Sequence, residues 1–190
     1  MFPVEIFQTT LAKLTVILRE LGIPFHLTGG LTGTVYGEPR MTQDIDVVIG
    51  PEQSRRQLDA FVKCISESDF MFDETSMRRA VKSGGLFQLL DQEECLKLDI
   101  YPREMIPGEL GRSEMLEIFA GEVLPVVSRT DAAASKLVWI SKGSHKSRRD
   151  LKAIFRTCSD EQKLSIRKQA EAFDLAELLN EVLAESYEIE

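Results

Sequence analysis

Hydrophobic and polar residues follow two different spacings along the chain, and the spacing separates predicted helices from predicted strands. Residues 4–22 repeat apolar side chains at helical spacing, so we predict an amphipathic helix that ends at Gly22 and Pro24. Short apolar stretches bounded by turn residues predict strands instead. The predicted strands are residues 23–28, 44–49, 86–90, 96–101 and 123–127.

The connections between these elements add further predictions. A helical turn of small residues follows Gly30 and ends at Tyr36, and Pro51 begins a second amphipathic helix. Pro125 lies within the last predicted strand and favours an edge position, because proline has no backbone N–H to donate to a neighbouring strand. Residues 128–131 fit the start of a helix, and the pattern is helical from there to the C-terminus.

Together these elements predict an α+β fold. It consists of a mixed β-sheet of about five strands with helices on one side, followed by a helical C-terminal half. The predicted boundary separates a sheet-containing core, residues 1–127, from a helical C-terminal subdomain, residues 128–190. The length of 190 residues agrees with one domain, or one domain with a small appendage.

The composition is that of a globular protein. Hydrophobic residues make up 43% of the chain and charged residues 28%, and the 12 glycines and 7 prolines are an ordinary fraction, which excludes the disordered and collagen-like classes. No apolar stretch approaches the roughly 18 residues of a membrane helix, and the N-terminus lacks the basic leader of a signal peptide. Cys64, Cys95 and Cys158 are far apart and odd in number, which favours reduced core thiols over a disulfide framework or zinc cluster. We therefore expect a cytoplasmic protein that does not enter a membrane.

The net charge of −8 combines two regions of opposite sign. Residues 136–156 contain seven basic residues and one acidic residue, Asp150, whereas residues 171–190 contain seven acidic residues and neither lysine nor arginine. Solvated helix faces are one explanation of both regions. The alternative is a basic surface that binds an anionic partner, although the overall charge argues against general coating of nucleic acid.

Two aspartates share one face of the predicted strand 44–49. Side chains alternate along a strand, so Asp44 and Asp46 lie on the same face, about 7 Å apart along the backbone, while the residues between them face the core. Neighbouring carboxylates repel each other. We therefore expect a cation beside them.

The predicted strand 96–101 has the same alternation, with Asp99 on the face opposite the core. If the two strands pair, three carboxylates converge on the open face of the sheet. Hard oxygen ligands of this kind suit Mg²⁺, which binds through a few carboxylates, waters and substrate phosphates. Two such ions about 3.5–4 Å apart stabilise the attacking and leaving oxygens of a phosphoryl transfer.

A pair of glycines is a second candidate element. Gly29 and Gly30 follow a predicted strand and precede a short helix, an arrangement in which backbone N–H groups approach phosphate oxygens closely. Arg40, just before the aspartate pair, has the forked side chain that binds phosphate. Taken singly, these residues are also explained by a tight turn and a surface cation. The sequence contains no GxxxxGK[ST] motif, so a P-loop is excluded, and it also contains no HExxH or GxSxG motif.

In order and spacing, these residues resemble the DNA polymerase beta-type nucleotidyltransferase superfamily. Residues 27–31 (LTGGL) and 40–49 (RMTQDIDVVI) are similar to its glycine turn and Asp-x-Asp pair, and Asp99 to its third acid on a later strand. The Arg-x-Thr-x-Asp-Ile-Asp run most resembles minimal bacterial nucleotidyltransferases related to abortive-infection toxins of type IV toxin–antitoxin systems. Residues 130–137 (TDAAASKL) and 148–151 (RRDL) are loosely similar to the helical half of those proteins.

This resemblance implies transfer of a nucleoside monophosphate from an NTP, such as ATP, to a hydroxyl group with release of pyrophosphate. Asp44, Asp46 and Asp99 would bind the metal, with two Mg²⁺ ions expected, and Asp99 would also help to deprotonate the acceptor. The nucleotide-binding residues implied by the resemblance are Gly29, Gly30, Thr32, Arg40 and Lys136.

One departure from the pattern keeps other functions open. Many active members carry serine where this chain has Gly30, and only Thr32 is close enough in sequence to replace that hydroxyl. The alternatives are an inactive binding or regulatory protein of the same fold, and an interaction protein that docks a partner through the helix at residues 175–183. For the enzyme, the resemblance favours an RNA acceptor, tRNA ends in particular, and implies an antitoxin partner. A protein or small-molecule acceptor stays open.

Overall fold

The computed structural model describes residues 4–38 and 44–185. Within these ranges the chain forms two compact units. The first contains residues 4–31 and 44–127, and the second contains residues 32–38 and 128–185. The assignment of separate roles to residues 1–127 and 128–190 stays a prediction.

The helices and strands largely follow the predicted boundaries. In chain order they are α1 (Val4–Glu20), β1 (Phe25–Thr28), α2 (Leu31–Tyr36), β2 (Asp44–Ile49), α3 (Pro51–Arg56), α4 (Leu58–Ser66), β3 (Phe70–Met71), α5 (Glu74–Ser83), β4 (Phe87–Asp91), β5 (Leu96–Tyr101), a 3₁₀ turn (Glu109–Arg112), β6 (Glu114–Phe119), β7 (Glu122–Val126), α6 (Arg129–Ser141), α7 (Lys146–Arg156), α8 (Asp160–Ala172) and α9 (Ala176–Ala184). Over the described ranges no helix is both long enough and apolar enough to cross a bilayer.

The strands form one mixed sheet in the first unit, in the order β3-β4-β5-β2-β1-β7-β6. β2 runs parallel to β5 and antiparallel to β1, and β1 runs parallel to β7. This sheet with its helical C-terminal part confirms the predicted fold class, but the described residues form seven strands rather than about five. β3 has two residues and is too short to show a period, and β6 shows no alternation because none of its residues is fully buried.

Pro125 does not lie on an edge strand, so the position predicted for it is wrong. β7 lies between β1 and β6, and Pro125 pairs with Met115 of β6. β7 meets β1 just beyond the proline, where Leu27 pairs with Val126 and the Val127 N–H donates to the Leu27 carbonyl over 3.0 Å. The contact with β1 therefore uses residues after the proline, and the missing proline N–H is not needed there.

The core of the first unit lies between the helices and one face of the sheet. α1 packs against α4 and β5, and α5 packs against α4 and β4. Leu11, Leu14 and Leu18 on the apolar face of α1 are fully buried. Phe61 of α4 meets Phe87 of β4 edge to face, with ring centroids 6.2 Å apart. This packing covers one face of β4 and β5 and holds both strands in place.

The three cysteines are free, but they are not all core residues. Cys158 is buried and Cys64 is half-buried, whereas Cys95 is exposed. Cys95 lies in the turn between β4 and β5 and has a φ of 54°. The prediction of a core thiol is therefore wrong at Cys95, because this residue belongs to the turn and not to the apolar strand that follows it.

Residues 32–38 belong with the C-terminal helices. The Tyr36 carbonyl accepts a hydrogen bond from Thr157 Oγ1 over 2.6 Å, and the Arg129 guanidinium lies 4.7 Å from the centre of the Tyr36 ring. Ser128 begins α6 by accepting a hydrogen bond from the Asp131 N–H, as the sequence pattern predicts. The second unit is thus assembled from a short segment near the N-terminus and from α6–α9.

The basic region on α7 is partly neutralised by acidic residues of the same unit. Arg148 Nη1 lies 2.9 Å from Glu181 Oε1, and Lys152 Nζ lies 3.0 Å from Glu185 Oε2. Both carboxylates come from the acidic C-terminal region. The two charge runs that are separate in the sequence therefore meet in the folded unit.

Candidate active site

Three aspartates meet on one face of the sheet because β2 and β5 pair in parallel. Asp46 of β2 is the register partner of Asp99 of β5, and Asp44 lies two residues earlier on the face of Asp46. Ile45 and Val47, which alternate with these aspartates along β2, are fully buried on the opposite face. We call Asp44, Asp46 and Asp99 the carboxylate cluster. The strand pairing on which its formation depends is present.

A lysine lies among these carboxylates. Lys97 is the register partner of Asp44, and its Nζ lies 3.4 Å from Asp44 Oδ2 and 3.2 Å from the Asp99 carboxylate oxygens. Burial lowers the pKa of the Lys97 ammonium. The hydrogen bond to Asp99 and the charges of Asp99 and Asp44 outweigh burial, so the pKa lies above its ordinary value of 10.5. An ammonium thus supplies positive charge beside the clustered acids.

Two neutral donors also hold the carboxylates. Gln88 of β4 is the register partner of Asp99, and its Nε2 donates to Asp99 Oδ1 over 2.9 Å. The Tyr101 hydroxyl donates to Asp46 Oδ1 over 3.2 Å. Burial first, and then the negative charges of Asp46 and Asp99, raise the pKa of Tyr101 well above its ordinary value. The hydroxyl therefore keeps its proton and remains a donor at physiological pH.

The Gly29–Gly30 turn lies directly against the carboxylate cluster. Thr28, the last residue of β1, is the register partner of Asp46, so the chain leaves β1 beside that carboxylate. The Gly30 N–H donates to Asp46 Oδ2 over a long distance of 3.4 Å. Gly29 has a φ of +66°, and a Cβ there would lie 1.8 Å from Asp46 Oδ2. Backbone conformation and space both require glycine at this position.

The other predicted nucleotide-binding residues lie in the second unit or outside the described ranges. Thr32 is fully buried in α2. Lys136 of α6 is also buried, and its Nζ lies 2.8 Å from Asp150 Oδ2 of α7. Arg40 lies outside the described residues. The first unit thus groups the acids with the glycine turn, and the roles of Thr32, Arg40 and Lys136 stay predictions.

The chemistry of the carboxylate cluster fits a hard divalent cation. Carboxylate oxygens are the ligands that Mg²⁺ prefers in proteins, and the Lys97 ammonium shows that positive charge is accommodated beside them. Within residues 4–38 and 44–185, no three His, Cys, Asp or Glu side chains already stand in metal-binding geometry. An ion held by Asp44, Asp46 and Asp99 would therefore enter a cluster that contains an ammonium.

Comparison with known families decides the class of protein. Residues 15–187 match the family described as nucleotidyl transferase AbiEii toxin, type IV toxin–antitoxin system. The chain belongs to this family. As an AbiEii-family protein it is a nucleotidyltransferase, which confirms the predicted family and enzyme class.

Solved structures share the fold of this AbiEii-family chain at low sequence identity. The antibiotic-resistance factor ANT(2'')-Ia, studied in solution, is 16% identical with a TM-score of 0.52, over 97% of this chain and 91% of that chain. An antigenic nucleotidyltransferase-like protein from Paracoccidioides brasiliensis is 17% identical with a TM-score of 0.50, over 94% of each chain. No curated protein sequence matches the chain.

Lys97, Tyr101 and Gln88 are site residues that the sequence prediction does not include. Lys97 and Tyr101 lie two residues before and two residues after Asp99, so strand alternation alone places them on its face. Gln88 becomes a candidate only when β4 and β5 are aligned, since its position opposite Asp99 depends on the register of the hairpin.

Proposed function

We propose that this chain catalyses Mg²⁺-dependent transfer of a nucleoside monophosphate from an NTP to a hydroxyl of RNA, with tRNA ends as the favoured acceptor. The observation that carries the proposal is the convergence of Asp44, Asp46 and Asp99 beside the Gly29–Gly30 turn. Acids for metal and a glycine turn for phosphate are the two parts that nucleotidyl transfer requires. The family match supports the same chemistry.

The proposed reaction exchanges one phosphorus–oxygen bond for another. The acceptor oxygen forms a bond to the α-phosphorus, the bond from that phosphorus to the leaving pyrophosphate breaks, and the hydroxyl proton passes to a base. We assign Asp99 as this base, with Gln88 holding its Oδ1 in place. Asp44 and Asp46 would hold the metal together with Asp99. Bound Mg²⁺ would neutralise negative charge that develops on the phosphates.

The Gly29–Gly30 turn is assigned to the triphosphate. Neither position has a side chain that would keep phosphate oxygens away from the backbone, and the Gly30 N–H would exchange its long hydrogen bond to Asp46 Oδ2 for one to phosphate. Thr32, Arg40 and Lys136 are included as further nucleotide contacts on the strength of the family resemblance. In the described structure Lys136 is paired with Asp150, so its assignment depends on a nucleotide competing for the same ammonium.

An RNA acceptor is supported by the turn between α6 and α7. Lys142 and Lys146 are exposed there, and the Lys142 ammonium lies 5.3 Å from the centre of the Trp139 ring. Trp139 is half-buried, and the part of its ring that solvent reaches, beside two lysines, suits stacking on a base with contacts to phosphate. We also infer an antitoxin partner, because the family is one of toxins from type IV toxin–antitoxin systems.

The proposal is tested by incubating the purified chain with each of the four α-labelled NTPs, Mg²⁺ and total cellular RNA. We expect label on RNA with the wild type and a loss on the order of 100-fold with Asp44→Asn or Asp46→Asn. Asp59→Asn is the matched control, since Asp59 is exposed on α4 and pairs with Arg78 at 2.6 Å. Label on a protein and not on RNA would show that the acceptor is a protein. Wild-type levels of transfer in both Asp44→Asn and Asp46→Asn would overturn the proposal.

The toxin role has a separate test in cells. Induced expression of the wild-type chain in a bacterial host is expected to arrest growth, and Asp46→Asn is expected to relieve the arrest while the protein accumulates to the same level. Growth arrest by the Asp46→Asn variant would show that toxicity does not depend on transfer.

A further inference from the structure

Lys97 differs from the other donors to the carboxylate cluster. Gln88 and Tyr101 are neutral, and each donates to one carboxylate. Lys97 is charged and lies between two carboxylates on neighbouring strands, 3.4 Å from Asp44 and 3.2 Å from Asp99. It therefore links β5 to β2 by charge at the position where the site is built.

Lys97 supplies less positive charge to the cluster than a divalent cation would. Its ammonium brings one positive charge to the carboxylates that it contacts, and a divalent cation brings two. A divalent cation among the same oxygens would also repel the ammonium, because like charges a few ångströms apart interact strongly at a partly buried site. The lysine and the metal are thus alternative sources of positive charge for Asp44 and Asp99.

The Lys97 ammonium can move away from the carboxylates without disturbing the core. Its backbone is fixed by Leu96 and Leu98, which are fully buried on the other face of β5. The side chain itself is 38% exposed, and four rotatable carbon–carbon bonds connect the ammonium to that fixed backbone. The ammonium can therefore move into solvent and be hydrated there when another cation takes its place.

We propose that Lys97 is a positioning residue that holds Asp44 and Asp99 together before metal binds, and that a divalent cation displaces its ammonium from them. This inference rests on the proposed metal-dependent function. Its consequence is that Lys97 stabilises the metal-free protein and at the same time weakens metal binding. A lysine with a purely structural role would affect stability alone.

The test measures Mn²⁺ binding to the full chain by electron paramagnetic resonance, with unfolding in urea followed in EDTA. Lys97→Met keeps an unbranched side chain only one atom shorter and removes the charge, and Lys97→Gln is a second variant that keeps a polar end. We expect both variants to bind Mn²⁺ about tenfold more tightly than the wild type and to be less stable in EDTA. Lys97→Arg should restore the wild-type affinity. Lys63→Met is the control, since Lys63 is exposed on α4 and pairs with Glu67.

The outcomes separate this inference from the proposed function. Equal or weaker Mn²⁺ binding by Lys97→Met and Lys97→Gln, with binding still abolished by Asp46→Asn, overturns the inference about Lys97 and leaves the metal site standing. Failure of the wild type and of both Lys97 variants to bind Mn²⁺ overturns the inference and the metal-dependent function together.

Discussion

Gly29 lies so close to Asp46 that a side chain at position 29 would occupy the space of the carboxylate. A Cβ built there would be 1.8 Å from Asp46 Oδ2 and 2.3 Å from Asp46 Cγ. The neighbouring Gly30 N–H donates to the same Oδ2. The turn proposed to bind phosphate and the strand proposed to bind metal are therefore in direct contact, and we expect a change in either to affect the other.

Gly29→Ala is expected to reduce metal binding and transfer in addition to the stability of the fold. Gly22 provides the matched control, since its φ is +61° and nothing lies within 4 Å of a Cβ built there. Both alanine variants should lose about 1 kcal/mol of unfolding free energy through the left-handed backbone conformation, which urea denaturation measures. Only Gly29→Ala should also lose Mn²⁺ binding and nucleotidyl transfer. Equal activity of the two variants would show that the turn and Asp46 are not coupled.

Tyr101→Phe is expected to weaken the site while leaving the fold intact. The variant removes the hydroxyl that donates to Asp46 Oδ1, and we expect a loss of about 1 kcal/mol in unfolding free energy and about tenfold in Mn²⁺ affinity or transfer rate. Burial and the nearby carboxylates raise the pKa of Tyr101 above its ordinary value of 10.0. The wild-type rate should therefore show no loss that depends on Tyr101 up to about pH 10. A decline at pH 9–10 that disappears in Tyr101→Phe would contradict this assignment.

Strand alternation explains why the central part of the sheet is predictable from sequence. In β2 and β5 every second residue is apolar, so bounds and faces follow from the pattern. β6 has no buried face to produce such a pattern. α5 is not predicted, because only Met77, Ala80 and Val81 of its ten residues are buried, and polar side chains surround them. Elements with little buried surface leave a weak hydrophobic signal.

The site is predictable in part for the same reason. Asp44, Asp46 and Asp99 stand out as acids in apolar strands, while their convergence depends on the parallel pairing of β2 with β5, which no local pattern encodes. Lys97 lies in the same strand as Asp99, yet a lysine on an open strand face is usually a solvated residue. Its importance becomes evident only when Asp44 is placed beside it.

The ion pair between Lys136 and Asp150 is expected to stabilise the second unit. Both side chains are buried, and their charged atoms are 2.8 Å apart. Lys136→Met should lower the unfolding free energy by about 3–5 kcal/mol, since it leaves a buried carboxylate without this lysine. The double variant Lys136→Met/Asp150→Leu should recover more than half of that loss. A urea-denaturation double-mutant cycle measures both, and additive losses would contradict a direct interaction.

The same double variant tests the nucleotide contact proposed for Lys136. If the ammonium also binds the triphosphate, the stable double variant should still lose about tenfold in NTP affinity, which equilibrium binding of a labelled NTP measures. Wild-type NTP affinity in a well-folded double variant would restrict Lys136 to its pairing with Asp150.

Asp91 connects α1 to the end of β4 through buried hydrogen bonds. Its carboxylate accepts from Thr10 Oγ1 over 2.9 Å and from Lys13 Nζ over 3.0 Å. Burial alone would raise the pKa of this carboxyl. The hydrogen bonds from Lys13, Thr10 and the Glu94 N–H outweigh burial and hold the pKa below its ordinary value of 3.8.

This depressed pKa gives the stability contribution of Asp91 a defined pH dependence. Below about pH 4 the unfolded chain protonates Asp91 before the folded protein does, so the contribution is present above that pH and is lost as the pH falls through the folded pKa. Asp91→Asn should therefore lower the unfolding free energy by about 2 kcal/mol at neutral pH, and its difference from the wild type should shrink in more acidic urea titrations. Asp69→Asn, which changes an exposed carboxylate 3.8 Å from the same Lys13 nitrogen, should cost less than about 1 kcal/mol. A wild-type advantage over Asp91→Asn that did not shrink at all as the pH fell below about 4 would assign the effect of Asp91 to packing and not to its charge.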